Sequence, residues 1–204
     1  MAVTELGGSG RSASANGSKQ FEAASTYKLF VSYSVLSRIE SGAIQWTDTV
    51  NNESVSSCFD AMIVVSDNNC AVALAHAVGG WGVVDNDAWG LGISHGTNLG
   101  GDTKYTTADD LDLILQKYQQ GTVLNDSDRA RLIGDMKKQI YRQGIPAGTG
   151  LTVADKVGFV DNVIHDAGIV YGPNGPYVMV VMTSNSSWSA IANVAQQINQ
   201  YLTK

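Results

Sequence analysis

The apolar positions of this chain follow one period at its two ends and another in the middle. Ala2 to Gly7 and Arg11 to Asn16 predict two short strands around Gly7-Gly8-Ser9-Gly10, a β-hairpin, with Asn16-Gly17 as the next turn. From Thr26 to about Glu40 the period becomes helical. Leu29, Tyr33, Leu36 and Ile39 fall on one face, and Gly42 stops the run. Ile44-Gln45-Trp46 is short and extended. Asn51 to Val65 predicts a helix that turns apolar toward its end, and Asn68 to Val78 an alanine-rich one closed by Gly79-Gly80. Trp81 to Leu91 predicts a short helix with Val83, Val84 and Trp89 inside. Gly90 to Tyr105 is a loop with few apolar anchors. Thr106-Thr107-Ala108-Asp109-Asp110 caps a helix whose stripe is Leu111, Ile114, Leu115 and Tyr118. Asp126 to Tyr141 predicts one more, with Leu132, Ile133, Met136 and Ile140 inward.

At Leu151 the period changes to that of strands. Leu151 to Val160, Val163 to Tyr171 and Tyr177 to Ser184 predict three strands, the last two joined at Gly172-Pro173-Asn174-Gly175. Ser186 to Leu202 predicts a final helix with Trp188, Ile191, Ala195, Ile198 and Leu202 on one face. The order is strands, then helices, then strands. It implies an α+β fold: a five-stranded antiparallel sheet flanked by helices, with an all-helical subdomain inserted between its strands. Residues 1–24 and 151–204 would form the sheet subdomain and residues 25–150 the helical one.

Composition narrows the function classes. The chain has 204 residues, 44% hydrophobic and 16% charged, enough to bury a sizeable core. A net charge of −6 argues against a nucleic-acid partner. No apolar run is long enough to span a membrane. No basic segment followed by an apolar one opens the chain, so no signal peptide is visible in it. Cys58 and Cys70 flank Ser66, at the end of one helix and the start of the next. A turn there allows a disulfide in an oxidising compartment; two buried free thiols are the alternative. His76, His95 and His165 lie apart from Cys, Asp or Glu at ligand spacing, so neither a metal nor another cofactor is implied.

The chemistry centres on Ser25-Thr26-Tyr27-Lys28. Residues three apart on a helix share a face, so the Lys28 amine can reach the Ser25 hydroxyl. A serine becomes a nucleophile when a base takes its proton, and lysine serves if burial or positive neighbours lower its pKa. A helix start also offers free backbone N–H groups to a developing oxyanion. Alone, the tetrapeptide reads first as an N-cap serine beside a surface lysine. Two further motifs follow in order: Ser66-Asp67-Asn68 after the apolar run Ala61 to Val65, and Lys156-Val157-Gly158 opening a strand. With these the chain resembles the serine β-lactamase and penicillin-binding protein family, closest to class A, over nearly its whole length. The third motif departs from the usual K-T-G in its middle residue. Ala154-Asp155, Gly144-Ile145-Pro146 and Thr106-Thr107 also look like class A sequence.

The resemblance implies roles. Ser25 would be the nucleophile and Lys28 its base. Ser66 would pass a proton to the leaving nitrogen, and Lys156 would hold Ser66 and attract a substrate carboxylate; otherwise Lys156 is an exposed edge-strand lysine that guards against aggregation. Asn68 would bond the substrate amide or the lysine, and Asp67 would hold its loop. Gly158 would let substrate approach the strand, and the N–H groups of Ser25 and Phe159 would form the oxyanion hole. Asp155 and Arg142 would pair as structural support. Class A enzymes carry a deacylating glutamate in the loop before Thr106. Here Ile93 to Asp102 has none; His95 is the one base at a comparable position, and Asp102 would brace the loop. Slow deacylation is therefore expected. The partner would be a β-lactam or a D-Ala-D-Ala-like cell-wall peptide, met outside the cytoplasm by a monomer. The alternatives are a true β-lactamase and a catalytically weak binding module. The family's helix before the first strand has no counterpart here, which predicts an export signal or anchor upstream, or a shortened variant.

Overall fold

The computed structural model describes residues 1–204. One antiparallel sheet is the frame. It contains β1 (Ala2–Glu5), β2 (Ser12–Ser14) and three long C-terminal strands, in the order β2-β1-β9-β8-β7. Between its two halves the chain forms β3 (Phe21–Glu22), a 3-10 turn (Ala24–Tyr27), α1 (Lys28–Glu40), β4 (Thr49–Val50), β5 (Glu53–Ser54), α2 (Val55–Val64), α3 (Asn68–Ala77), α4 (Trp81–Gly90), β6 (Tyr105–Thr106), α5 (Ala108–Gln120), α6 (Asp126–Lys137) and α7 (Ile145–Thr149). It returns through β7 (Thr152–Val160), β8 (Val163–Gly172) and β9 (Gly175–Ser184) and closes with α8 (Trp188–Leu202). The α+β class and the five-stranded sheet are those the hydrophobic pattern predicts.

Each face of the sheet has its own core. Leu29, Phe30, Val35, Leu36, Phe59, Met62, Leu111 and Tyr118 join Ala154, Ile169 and Val178 in the larger core, between helices and sheet. Val3, Val153, Met179 and Val181 meet Ile191 and Ala195 of α8 on the other face. The helices between α1 and α6 start on side-chain caps where the sequence offers them. Ser54, Asp67, Thr107 and Asn125 each accept a backbone N–H from the first turn of α2, α3, α5 and α6.

Three predicted elements differ. The helix expected from Asn51 starts only at Val55. Asn51 and Asn52 both take left-handed backbone angles, φ 51° and 61°, and turn β4 into β5. The helix expected to reach Tyr141 ends at Lys137, and Ile140 is 55% exposed rather than inward. Its backbone N–H instead bonds the Val64 carbonyl (3.2 Å), which ties this segment to the end of α2. Ile44-Gln45-Trp46 is not a strand; it leads into a turn closed by the Asp48 N–H on the Gln45 carbonyl at 3.0 Å.

Candidate active site

Ser25 sits where a tight turn meets an edge strand. Ala24 before it takes φ 43°, a left-handed angle costly for a residue with a Cβ. The 3-10 turn then runs directly into α1. This differs from the simple helix start predicted for Ser25, and no side chain caps it. Strand β7 lies against the turn. A Cβ added at Gly158 would stand 2.9 Å from the Ala23 carbonyl, 2.9 Å from the Ser25 nitrogen and 3.0 Å from the Thr26 nitrogen. Only glycine admits this approach, so Gly158 fixes the spacing between Ser25 and the strand.

Lys28 is wholly buried and reaches back to Ser25. Its Nζ lies 3.0 Å from Ser25 Oγ, 2.7 Å from the Ser66 carbonyl, 3.1 Å from Ser66 Oγ and 2.7 Å from Asn68 Oδ1. Two of these neighbours, the carbonyl and the amide oxygen, can only accept. A neutral amine has two N–H groups and one lone pair. It can donate to both acceptors and aim its lone pair at the Ser25 hydroxyl. Burial lowers the Lys28 pKa to about 8, which brings that neutral form within physiological reach.

Ser66 links the two lysines. It takes φ 62° at the turn between α2 and α3, so its carbonyl and its hydroxyl both face Lys28. Lys156 donates to Ser66 Oγ at 2.9 Å and to the Val157 carbonyl at 3.1 Å. The edge-guard alternative for Lys156 fails, because the side chain has no exposure at all. Its pKa falls to about 7, first through burial and then through the Lys28 charge. Asp67 holds the loop as expected, by capping α3 through the Cys70 N–H (2.8 Å). Cys58 and Cys70 form a disulfide that ties α2 to α3 around Ser66.

Behind Lys156, on the other face of the sheet, lies an acid pair. Asp155 pairs with Arg142, as expected. Asp166, on neighbouring β8, accepts the Ile145 N–H at 2.7 Å and lies beside Asp155. Both carboxyls are fully buried, and burial raises both pKa values, that of Asp166 to about 6. The sequence singled out Asp155 but not Asp166; an acid amid the apolar β8 run Val163 to Val170 was the available signal.

Beside Ser25 a cleft of about 240 Å³ is lined by Glu22, Ala24, Tyr27, Asn68, Asp102, Thr103, Lys104, Phe159 and Val160. It thus brings together Asn68 and Phe159, two of the predicted site residues. His95 is not among its lining residues; it stacks on Trp89 with ring centres 4.3 Å apart. Asp102 lines the cleft and makes no hydrogen bond that would brace the loop. Two acids to which the sequence assigns no such role do so instead. Asp85 accepts from the N–H groups of Leu99 (2.7 Å) and Gly100 (3.0 Å), and Asp110 accepts from Ser94 and Thr97. Asp110 sits three residues after the N-cap Thr107, the one local hint of its role.

The geometry invites comparison with known proteins. The family model described as the β-lactamase enzyme family matches residues 1–202. No curated protein matches. Among solved structures, PBP-A superposes with a TM-score of 0.91 at 24% identity, covering 98% of this chain and 88% of that one. A PBP-A mutant has been solved as an acyl-enzyme complex with penicillin G (TM-score 0.90, 24% identity, 98% and 88% covered). The extended-spectrum β-lactamase TLA-1 gives a TM-score of 0.90 at 23% identity over 100% of this chain and 92% of the other. A β-lactamase from Chitinophaga pinensis gives 0.87 at 18%, over 99% and 92%. These likenesses show a β-lactamase and transpeptidase-like fold, and the family match over nearly every residue shows that the chain belongs to the β-lactamase enzyme family.

Proposed function

We propose that this chain is an acyl-serine hydrolase of the penicillin-binding type. The observation that carries the reading is the contact network Ser25–Lys28–Ser66–Lys156, in which two lysines with lowered pKa values converge on two hydroxyls. Neutral Lys28 takes the Ser25 proton as Ser25 Oγ attacks the carbonyl of a β-lactam or a D-Ala-D-Ala-like peptide. The N–H groups of Ser25 and Phe159 receive the oxyanion. The leaving nitrogen takes its proton from Ser66, which is resupplied from Lys28 or Lys156. Lys156 attracts the substrate carboxylate, and Asn68 holds the substrate amide and Lys28. The disulfide supports a working place outside the cytoplasm, where it persists.

Deacylation is slow in this reading. The carboxylates at the cleft are Glu22 and Asp102, and neither hydrogen-bonds Lys28, Ser66 or Asn68, so neither is tied into the network around Ser25. A second reading, true β-lactamase turnover, rests on Asp102 lining the cleft, from where it could orient that water. Intact-protein mass followed over time with benzylpenicillin separates them. A lasting adduct, absent in Ser25→Ala, is expected. A transient adduct with hydrolysed drug, slowed in Asp102→Asn, would favour turnover. No adduct on the folded protein would refute both and leave a family-shaped binding module.

A further inference from the structure

At Phe159 the cleft borders an exposed aromatic surface on the other face of the edge strand. Side chains alternate along β7, so Lys156 and Gly158 face the turn that carries Ser25, while Phe159 projects to the opposite face. There it meets aromatic residues from two distant segments. Tyr141 stacks edge-on at 5.1 Å between ring centres, and Trp188 at 5.9 Å. Phe159 is 45% exposed and its neighbour Val160 36%, and both line the cleft. Ile140, beside Tyr141, adds a further exposed apolar side chain.

This ledge is held in place. Ile140 N–H bonds the Val64 carbonyl, and Gln139 Nε2 bonds the Ile63 carbonyl at 3.1 Å. The Tyr141 N–H bonds Gln139 Oε1 at 3.2 Å, so the Tyr141 backbone is fixed from two sides. Trp188 opens α8 directly after its cap Ser187, whose hydroxyl accepts the Ala190 N–H. A rigid aromatic surface in water binds apolar groups with little ordering cost. The surface also lacks a free cation. Arg142, next to Tyr141, is committed to Asp155, and Lys156 is buried on the other face. A carboxylate or phosphate would find no partner on the ledge, whereas a flat apolar group would.

We infer that Tyr141, Phe159 and Trp188 form a subsite beside that cleft, reached over the edge strand at Phe159, which takes a planar aromatic substituent of the bound acyl donor. This rests on the proposed function for its ligand class, and the test keeps the two apart. The probes are two cephalosporins with the same acyl side chain, one bearing a dinitrostyryl group and the other a methyl group on the fused ring. Affinities are measured by NMR titration in the Ser25→Ala protein, where acylation plays no part. The dinitrostyryl compound is expected to bind roughly tenfold tighter, and the preference to shrink to within about twofold in Trp188→Ala and Tyr141→Ala. Trp188→Phe should keep most of it. Equal affinities in the parent protein, or a preference that survives both ledge variants, would overturn the subsite. Failure of Ser25 to acylate in the parent chain would count against the proposed function alone, since the affinities are read without it.

Discussion

Gly158→Ala tests whether the spacing between strand and turn sets the reactivity of Ser25. The added methyl would stand 2.9–3.0 Å from three backbone atoms of residues 23–26, where ordinary contact needs roughly 3.4–4 Å. No flexible side chain can yield, so backbone must move by about half an ångström. The strand is the firmer partner, because β7 pairs with β8 from Thr152↔Tyr171 to Val160↔Val163 without a break. The 3-10 turn is the softer one, and it already holds Ala24 at φ 43°. The turn should therefore shift and carry Ser25 with it. Overpacking of this kind costs about 1–3 kcal/mol, a fall in Tm of roughly 2–12 °C for a chain of this size. Misplacement by about 1 Å can cost ~100-fold in rate, so half of that should slow acylation roughly tenfold. The assay is the second-order acylation rate with benzylpenicillin beside a thermal melt. A variant that acylates at the parent rate with the parent Tm would refute the argument.

The acylation rate should rise with pH and level off. The base works as the free amine, and the two lysines, at about 7 and about 8, lose their protons as a pair over that window. The rise should thus fall mainly between pH 7 and 9 and level off above; a rate still climbing tenfold per unit beyond pH 9 would mean an ordinary lysine. Ser66→Ala removes the hydroxyl that both lysines contact and should slow acylation by about 100-fold, with parent-like kinetics as the opposing result. Replacing both Cys58 and Cys70 by alanine opens a loop with a separation of 12 residues. That should cost about 3 kcal/mol, a drop of roughly 6–12 °C read by thermal melt, and loosen Ser66 between the two helices. An unchanged melt would show that α2 and α3 pack without the staple.

Much of this architecture is legible in the sequence because burial writes a period. The alternation from Val153 to Val160 and the stripe Leu111, Ile114, Leu115 and Tyr118 each face a real core, so the pattern and the structure agree. Asn51–Asn52 was misplaced for a local reason. Two left-handed residues make a two-residue hairpin turn, but their side chains are also tolerated before a helix, and the short β4 and β5 bury too little to show a period. Ile140 misled because periodicity cannot see where a helix stops; the backbone there is claimed by α2 instead. In the site, residues joined through one turn of chain could be paired in advance, as Ser25 with Lys28. Contacts across the fold could not be derived from spacing. Lys156 with Ser66 and Asp155 with Arg142 came from the family resemblance, and Asp166 and the aromatic ledge from neither.

The two faces of β7 carry complementary charge, and that arrangement bears on how Lys156 can work. Lys156 is buried beside Lys28, so both its surroundings and its neighbour favour the neutral form. A peptide plane away, Asp155 and Asp166 pull in the opposite direction, favouring its charge. Each acid leaves one oxygen without a hydrogen-bond partner, Asp155 Oδ2 and Asp166 Oδ1, and the two groups are close neighbours. Two adjacent buried carboxyls cannot both ionise at low cost, so they hold a single proton between them. Arg142 compensates the remaining negative charge from the rim. With that charge in place Lys156 titrates near neutrality; without it, burial and Lys28 would drive its pKa lower still. Lys28 feels no such acid pair and is raised by Asp67, and its pKa stays at about 8. Groups on the far side of the sheet thus narrow the gap between the two lysines by holding the Lys156 pKa up toward that of Lys28.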